Sequence, residues 1–113
     1  MGDGYLTTHV LDTARGVPAA GIEIALYRNG ADIARAVTNA EGRTDTPILP
    51  KGQMTVGEYE LLFLCGPYLR AHGAEGQLFL DEVPIRFGIA DAEAHYHVPL
   101  LLSPYGYSTY RGS

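Results

Sequence analysis

Hydrophobic and polar positions alternate with a period of two over much of the chain, and the alternation stops at Gly, Pro and Asn. In residues 5–12, Leu6, Thr8 and Val10 share one face of an extended segment, and Thr7, His9 and Leu11 share the other. Residues 13–20 hold Gly16 and Pro18 and read as a turn or loop. A second strand spans 22–28, with Ile22, Ile24 and Leu26 set against Glu23, Ala25 and Tyr27. Asn29-Gly30 follows at once. Both residues tolerate positive φ, so the pair predicts a tight hairpin into a third strand over 32–38.

Residues 39–52 are rich in Asn, Glu, Gly, Asp and Pro and predict the longest loop, with room for a short strand near 44–49. Residues 55–64 alternate at first and then turn wholly apolar, the pattern of a strand buried on both faces. The one plausible helix is short, 66–73, with Pro67 near its first position and Gly73 just past its end. A strand over 81–89 spaces Val83, Ile85, Phe87 and Ile89 by two, and strands over 95–102 and 106–111 flank Ser103-Pro104-Tyr105. Seven or eight short strands about ten residues apart predict an all-β sandwich or barrel. No strand–helix–strand rhythm, repeat or linker breaks residues 1–113 into parts, so a single domain is expected.

Composition narrows the partners. The formal charge is −5 and the eight basic residues are scattered, which argues against a nucleic-acid partner. No apolar run approaches the roughly 20 residues that span a bilayer, so no membrane partner is expected. Met1-Gly2-Asp3-Gly4 lacks the basic and apolar parts of a signal peptide, so a cytoplasmic protein is expected, short of a processed precursor. The single cysteine, Cys65, makes neither an internal disulfide nor a multi-thiolate zinc site. It closes an apolar run and reads as a small buried hydrophobe rather than a reactive thiol.

A few residues are not explained by a sandwich surface. His9 interrupts an apolar strand, His95 and His97 project from one strand face, Arg43 follows Glu41-Gly42 in a loop, and the chain ends Tyr110-Arg111-Gly112-Ser113. Each has a plain structural reading: a hydrogen-bonded histidine, a solvated loop charge, a frayed tail. His-x-His also has metal-pair spacing, for which His9 would have to be the third ligand. The Gly-x-Ser-x-Gly elbow, the phosphate-binding loop and the dinucleotide fingerprint are absent, and the carboxylates are dispersed. Residue by residue, this reaches a β-sandwich with a histidine-centred site and no defined reaction.

The same residues carry a family likeness. The run Leu6-Thr7-Thr8-His9-Val10-Leu11-Asp12-Thr13, continuing to Gly21, resembles the opening of the transthyretin-like 5-hydroxyisourate hydrolases. Asn39-Ala40-Glu41-Gly42-Arg43-Thr44 resembles their arginine loop, and the stretch from His95 to Pro104 resembles their late strand. The final Tyr110-Arg111-Gly112-Ser113 resembles the mark of the enzyme branch. Transthyretin proper, a small-molecule carrier, shares the fold but lacks counterparts of His9 and Arg43 and has a different tail, so the carrier is the alternative reading.

The resemblance implies a sandwich of two four-stranded sheets with one short helix, assembled as a homotetramer, a dimer of dimers with active sites where dimers meet. It implies opening of the N1–C6 cyclic amide of 5-hydroxyisourate on the route from urate to allantoin, with no metal or organic cofactor. It implies catalytic roles for His9, Arg43, His97 and Ser113, and substrate binding by His9, Arg43, Tyr110, Arg111 and Gly112. Water activation falls to His97 or His9, Arg43 would favour the oxyanion, and Tyr110 with Ser113 would close the pocket. Arg111 would stand structurally beside them, and His95 would support the site or lie at an interface.

Overall fold

A computed structural model describes residues 2–112. Its elements in chain order are β1 (Tyr5–Thr7), β2 (Val10–Asp12), β3 (Val17–Pro18), β4 (Glu23–Arg28), β5 (Ala31–Val37), β6 (Gly57–Leu64), α1 (Gly66–Ala71), β7 (Glu82–Ile89), β8 (His95–His97), β9 (Leu100–Ser103) and β10 (Gly106–Thr109). One sheet runs β10-β9-β2-β3 and the other β5-β4-β6-β7, with β1 and β8 paired as a two-stranded piece.

That piece continues the first sheet. Tyr5 lies opposite His95, Thr7 opposite His97 and Val10 opposite Leu100, a constant offset along two parallel runs. The ladder is interrupted where His9 would meet Pro99, a residue with no N–H to give. His9 instead bridges antiparallel to Arg43. The two four-stranded sheets and the short helix expected from the family likeness are thus present, with the first sheet extended by this piece.

Alternation places the core. Leu6, Thr8, Val10, Leu100 and Leu102 face inward from the first sheet, and Ile24, Leu26, Leu61, Phe63, Val83 and Ile85 face them from the second. The hairpin forms as expected, with Asn29 and Gly30 at φ 52 and 80.

Three local expectations are corrected. Residues 55–64 do not bury both faces: Leu62 and Leu64 are only half-buried, because no third layer covers that side. The segment near 44–49 makes single bridges through Arg43 and Leu49 but no strand. Val17–Pro18, expected in a loop, pairs with Leu11 and Asp12 as an edge strand, a place where proline is tolerated.

Candidate active site

The outer face of the first sheet carries the chemistry. Period two sends Tyr5, Thr7 and His9 to that face, and the parallel register sets His95 and His97 beside them. Neither strand could assemble this row alone. Thr7 is its centre: Oγ1 lies 2.6 Å from His95 Nε2 and 2.8 Å from His97 Nδ1. The His95 ring stacks on Tyr5 at 4.1 Å, and the Lys51 ammonium lies 5.5 Å from the Tyr5 ring centre.

His9 is fixed by the neighbouring loop. Its Nε2–H donates to the Glu41 carbonyl at 2.8 Å, which assigns the proton to Nε2 in the neutral ring and leaves Nδ1 as the acceptor. That loop is organised by Asn39. Its Oδ1 accepts from the backbone N–H groups of Glu41 and Arg43, and its Nδ2 donates to Asp45. Gly42 turns the chain at φ 77, and a Cβ there would collide with the Val10 carbonyl. The Val10 N–H donates to the Gly42 carbonyl, so loop and strand are joined directly. Arg43 emerges next to His9, exposed and without a salt bridge among the described residues.

The tail returns to the same face. Gly112 donates its N–H to the His97 carbonyl at 2.7 Å. A Cβ at Gly112 would sit 2.8 Å from His97 Cδ2, so only glycine packs there without moving the ring. Tyr110 is 59% exposed and lines an open depression with His95, His97, Arg111 and Gly112. Arg111 does not point at the histidines. Its guanidinium lies 4.0 Å from the centre of the buried Tyr96 ring and pins the tail by a cation–π contact. Ser113 lies outside the described residues.

Partial burial holds His97 below the ordinary imidazole range, and Arg43 first, then His95 and His9, oppose a second proton on it. Cys65, 0% exposed in the core, has its thiol pushed up to about 12 by burial, and next by the charge of Asp81, which removes it from nucleophilic chemistry.

Among the described residues no three His, Cys, Asp or Glu side chains group closely enough to hold an ion together. His95 Nε2 and His97 Nδ1 both turn to the Thr7 hydroxyl instead. Of the residues named from sequence, His9, Arg43, His97 and Gly112 converge. Tyr110 and Arg111 border them, with the Arg111 guanidinium resting on Tyr96. Thr7 was missed. Its placement opposite two histidines depends on strand pairing, which leaves no mark in the sequence around it.

The chain has close relatives among known proteins. The HIUase/Transthyretin family profile matches residues 6–112. A 5-hydroxyisourate hydrolase of Mesorhizobium japonicum is 58% identical over 97% of this chain and 93% of its own length. The crystal structure of an (S)-allantoin synthase superposes with a TM-score of 0.94 at 47% identity, covering 99% of this chain. This chain spans only 44% of that larger one. The structure of a Klebsiella pneumoniae 5-hydroxyisourate hydrolase superposes with a TM-score of 0.84 at 38% identity, covering 96% of this chain and 99% of its own. A match running from the first strand to the penultimate residue, over the same segments that build the histidine face, makes this chain a member of the HIUase/Transthyretin family.

Proposed function

We propose that this protein hydrolyses 5-hydroxyisourate, opening its N1–C6 amide to give the ring-opened ureidoimidazoline carboxylate on the way from urate to allantoin. The observation that carries the reading is the convergence of His9, Arg43, His97 and Gly112 on one sheet face. The hydrolase names of relatives at more than 50% identity support it.

Amide hydrolysis needs a base for water, positive charge for the oxyanion and a fixed substrate. His97 is the base in this reading. Its lowered proton affinity keeps the ring neutral at pH 7, and Nδ1 is already engaged by Thr7, which leaves Nε2 for water. A water proton passes to Nε2 while the water oxygen bonds to C6. The carbonyl oxygen takes the negative charge, and the C6–N1 bond breaks as N1 receives a proton. Arg43, exposed and free of an ion pair among the described residues, supplies charge to the oxyanion. His9 Nδ1, bare because Nε2–H is held by Glu41, accepts a hydrogen bond from the substrate. Tyr110 and Gly112 close over the ring, and Arg111 anchors them through Tyr96.

The depression beside His97 is open, whereas a hydrolase strengthens its electrostatics by excluding water. A second copy seated across this face would cover it, and a homotetramer built as a dimer of dimers meets that need.

The test is direct. Urate oxidase generates 5-hydroxyisourate in a cuvette, and the decay of its ultraviolet absorbance is followed with and without this protein. Accelerated decay, unchanged by chelator, is expected. Decay at the spontaneous rate overturns the reading and leaves the carrier.

A further inference from the structure

We propose that Thr7 is a positioning residue of this reaction, holding the tautomer of His97 through a hydrogen-bond chain that ends on His95; this rests on the hydrolase reading above. A hydroxyl has one proton to give. Between two imidazole nitrogens at 2.6 and 2.8 Å, it donates to one ring and accepts from the other.

Two chains are therefore possible. If Thr7 donates to His97 Nδ1, the His97 proton sits on Nε2, and the nitrogen facing the depression has no lone pair for water. If Thr7 donates to His95 Nε2, the His97 proton sits on Nδ1 and donates to Thr7 Oγ1, and Nε2 is bare. The second chain is the competent one. It is also the one favoured beside Arg43, since a cation near the ring opposes an N–H on its free side and favours a lone pair there. His95 is suited to the end of the chain. Tyr5 stacks on its ring at 4.1 Å and fixes its plane, so Nε2 stays aimed at Thr7. When Nε2 of His97 takes the water proton, the ring becomes cationic. Its Nδ1–H bond to Thr7 then strengthens, so the hydroxyl stabilises the imidazolium as it forms.

Other groups on this face do not substitute for Thr7. His9 is committed to Glu41, Arg111 lies on Tyr96, and Lys51 lies over Tyr5. The motif likeness drew attention to the histidine two residues along, but the contact that orients His97 comes from the threonine.

Thr7→Val keeps the branched shape and removes the hydroxyl. It is expected to lower kcat by roughly one to two orders of magnitude, as when an orienting partner is lost, with KM little changed. The acid limb of its pH profile should move to lower pH, because the cationic ring has lost an acceptor. Thr7→Ser is expected to restore most of kcat. His95→Phe keeps the stack on Tyr5 and removes the acceptor, and should lower kcat in the same direction. Nitrogen-15 NMR of histidine-labelled wild-type protein reads the tautomer without any turnover: His97 should carry its proton on Nδ1, and in Thr7→Val the Nε2–H form should grow. Unchanged kcat and pH profile in Thr7→Val, with the wild type active, overturns the inference and leaves the hydrolase. A wild-type His97 protonated on Nε2 overturns it too. An inactive wild type defeats the hydrolase reading, while the NMR result still decides the tautomer.

Discussion

At the scale of single residues, His97 is defined by what surrounds its two nitrogens. Thr7 holds Nδ1, and burial with the nearby charge of Arg43 keeps the ring neutral. A base works when unprotonated, so activity should fall as pH drops through the His97 value, with the midpoint of kcat/KM below 6.5. Arg43→Gln removes a neighbouring cation and lets the ring protonate more readily. Its acid limb should therefore shift to higher pH while kcat falls by at least about tenfold, on the scale of a lost oxyanion contact. A limb that stays in place would separate Arg43 from His97. Gly112→Ala tests the tail in the same way. Its Cβ would press on His97 Cδ2 at 2.8 Å, so the ring must move. Turnover should drop with little change in Tm, since φ at Gly112 is not in the left-handed region.

At the scale of elements, the loop after β5 and the start of the first sheet behave as one unit. Asn39 folds the loop, Gly42 lets it approach Val10, and His9 closes it through Glu41. A second tie holds the far end of that sheet. The Tyr68 hydroxyl on α1 donates to Asp12 Oδ2 at 2.7 Å, and the Arg15 guanidinium donates to Tyr68 at 3.3 Å. Asp12 is buried, so an unmet carboxylate oxygen there is costly. Tyr68→Phe should destabilise the fold by about 1–3 kcal/mol, seen as a Tm several degrees lower. Because the tie lies away from His97, kcat at low temperature should hold. A loss of turnover without a loss of stability would mean the helix is coupled to the site.

At the scale of the whole molecule, the site opens on the flank of a two-sheet sandwich, and Gly112 lies beside His97. A tag appended to the C-terminus should therefore impair hydrolysis, while the same tag at the N-terminus should not. Equal activity of both forms would show that the tail need not close. Light scattering should give a mass near four times 12.2 kDa. A monomer that hydrolyses at full rate would show that one chain shields its own site.

Period-two alternation, the Asn29-Gly30 turn and the Pro67–Gly73 spacing were enough to place nearly every strand and the helix, because those signals act between neighbours in the chain. They were also enough to single out His9, Arg43, His97 and the tail as anomalies on a sandwich surface. Where alternation misled, at Leu62 and Leu64, the cause was a layer that the chain does not supply. The parallel register of residues 5–12 with 95–102 was beyond the sequence, because pairing across some 90 residues is chosen by how two faces bury against the opposite sheet. That choice set a threonine hydroxyl between two histidines, while the Gly112–His97 bridge turned Arg111 onto Tyr96 and the loop held at Gly42 brought Arg43 to His9.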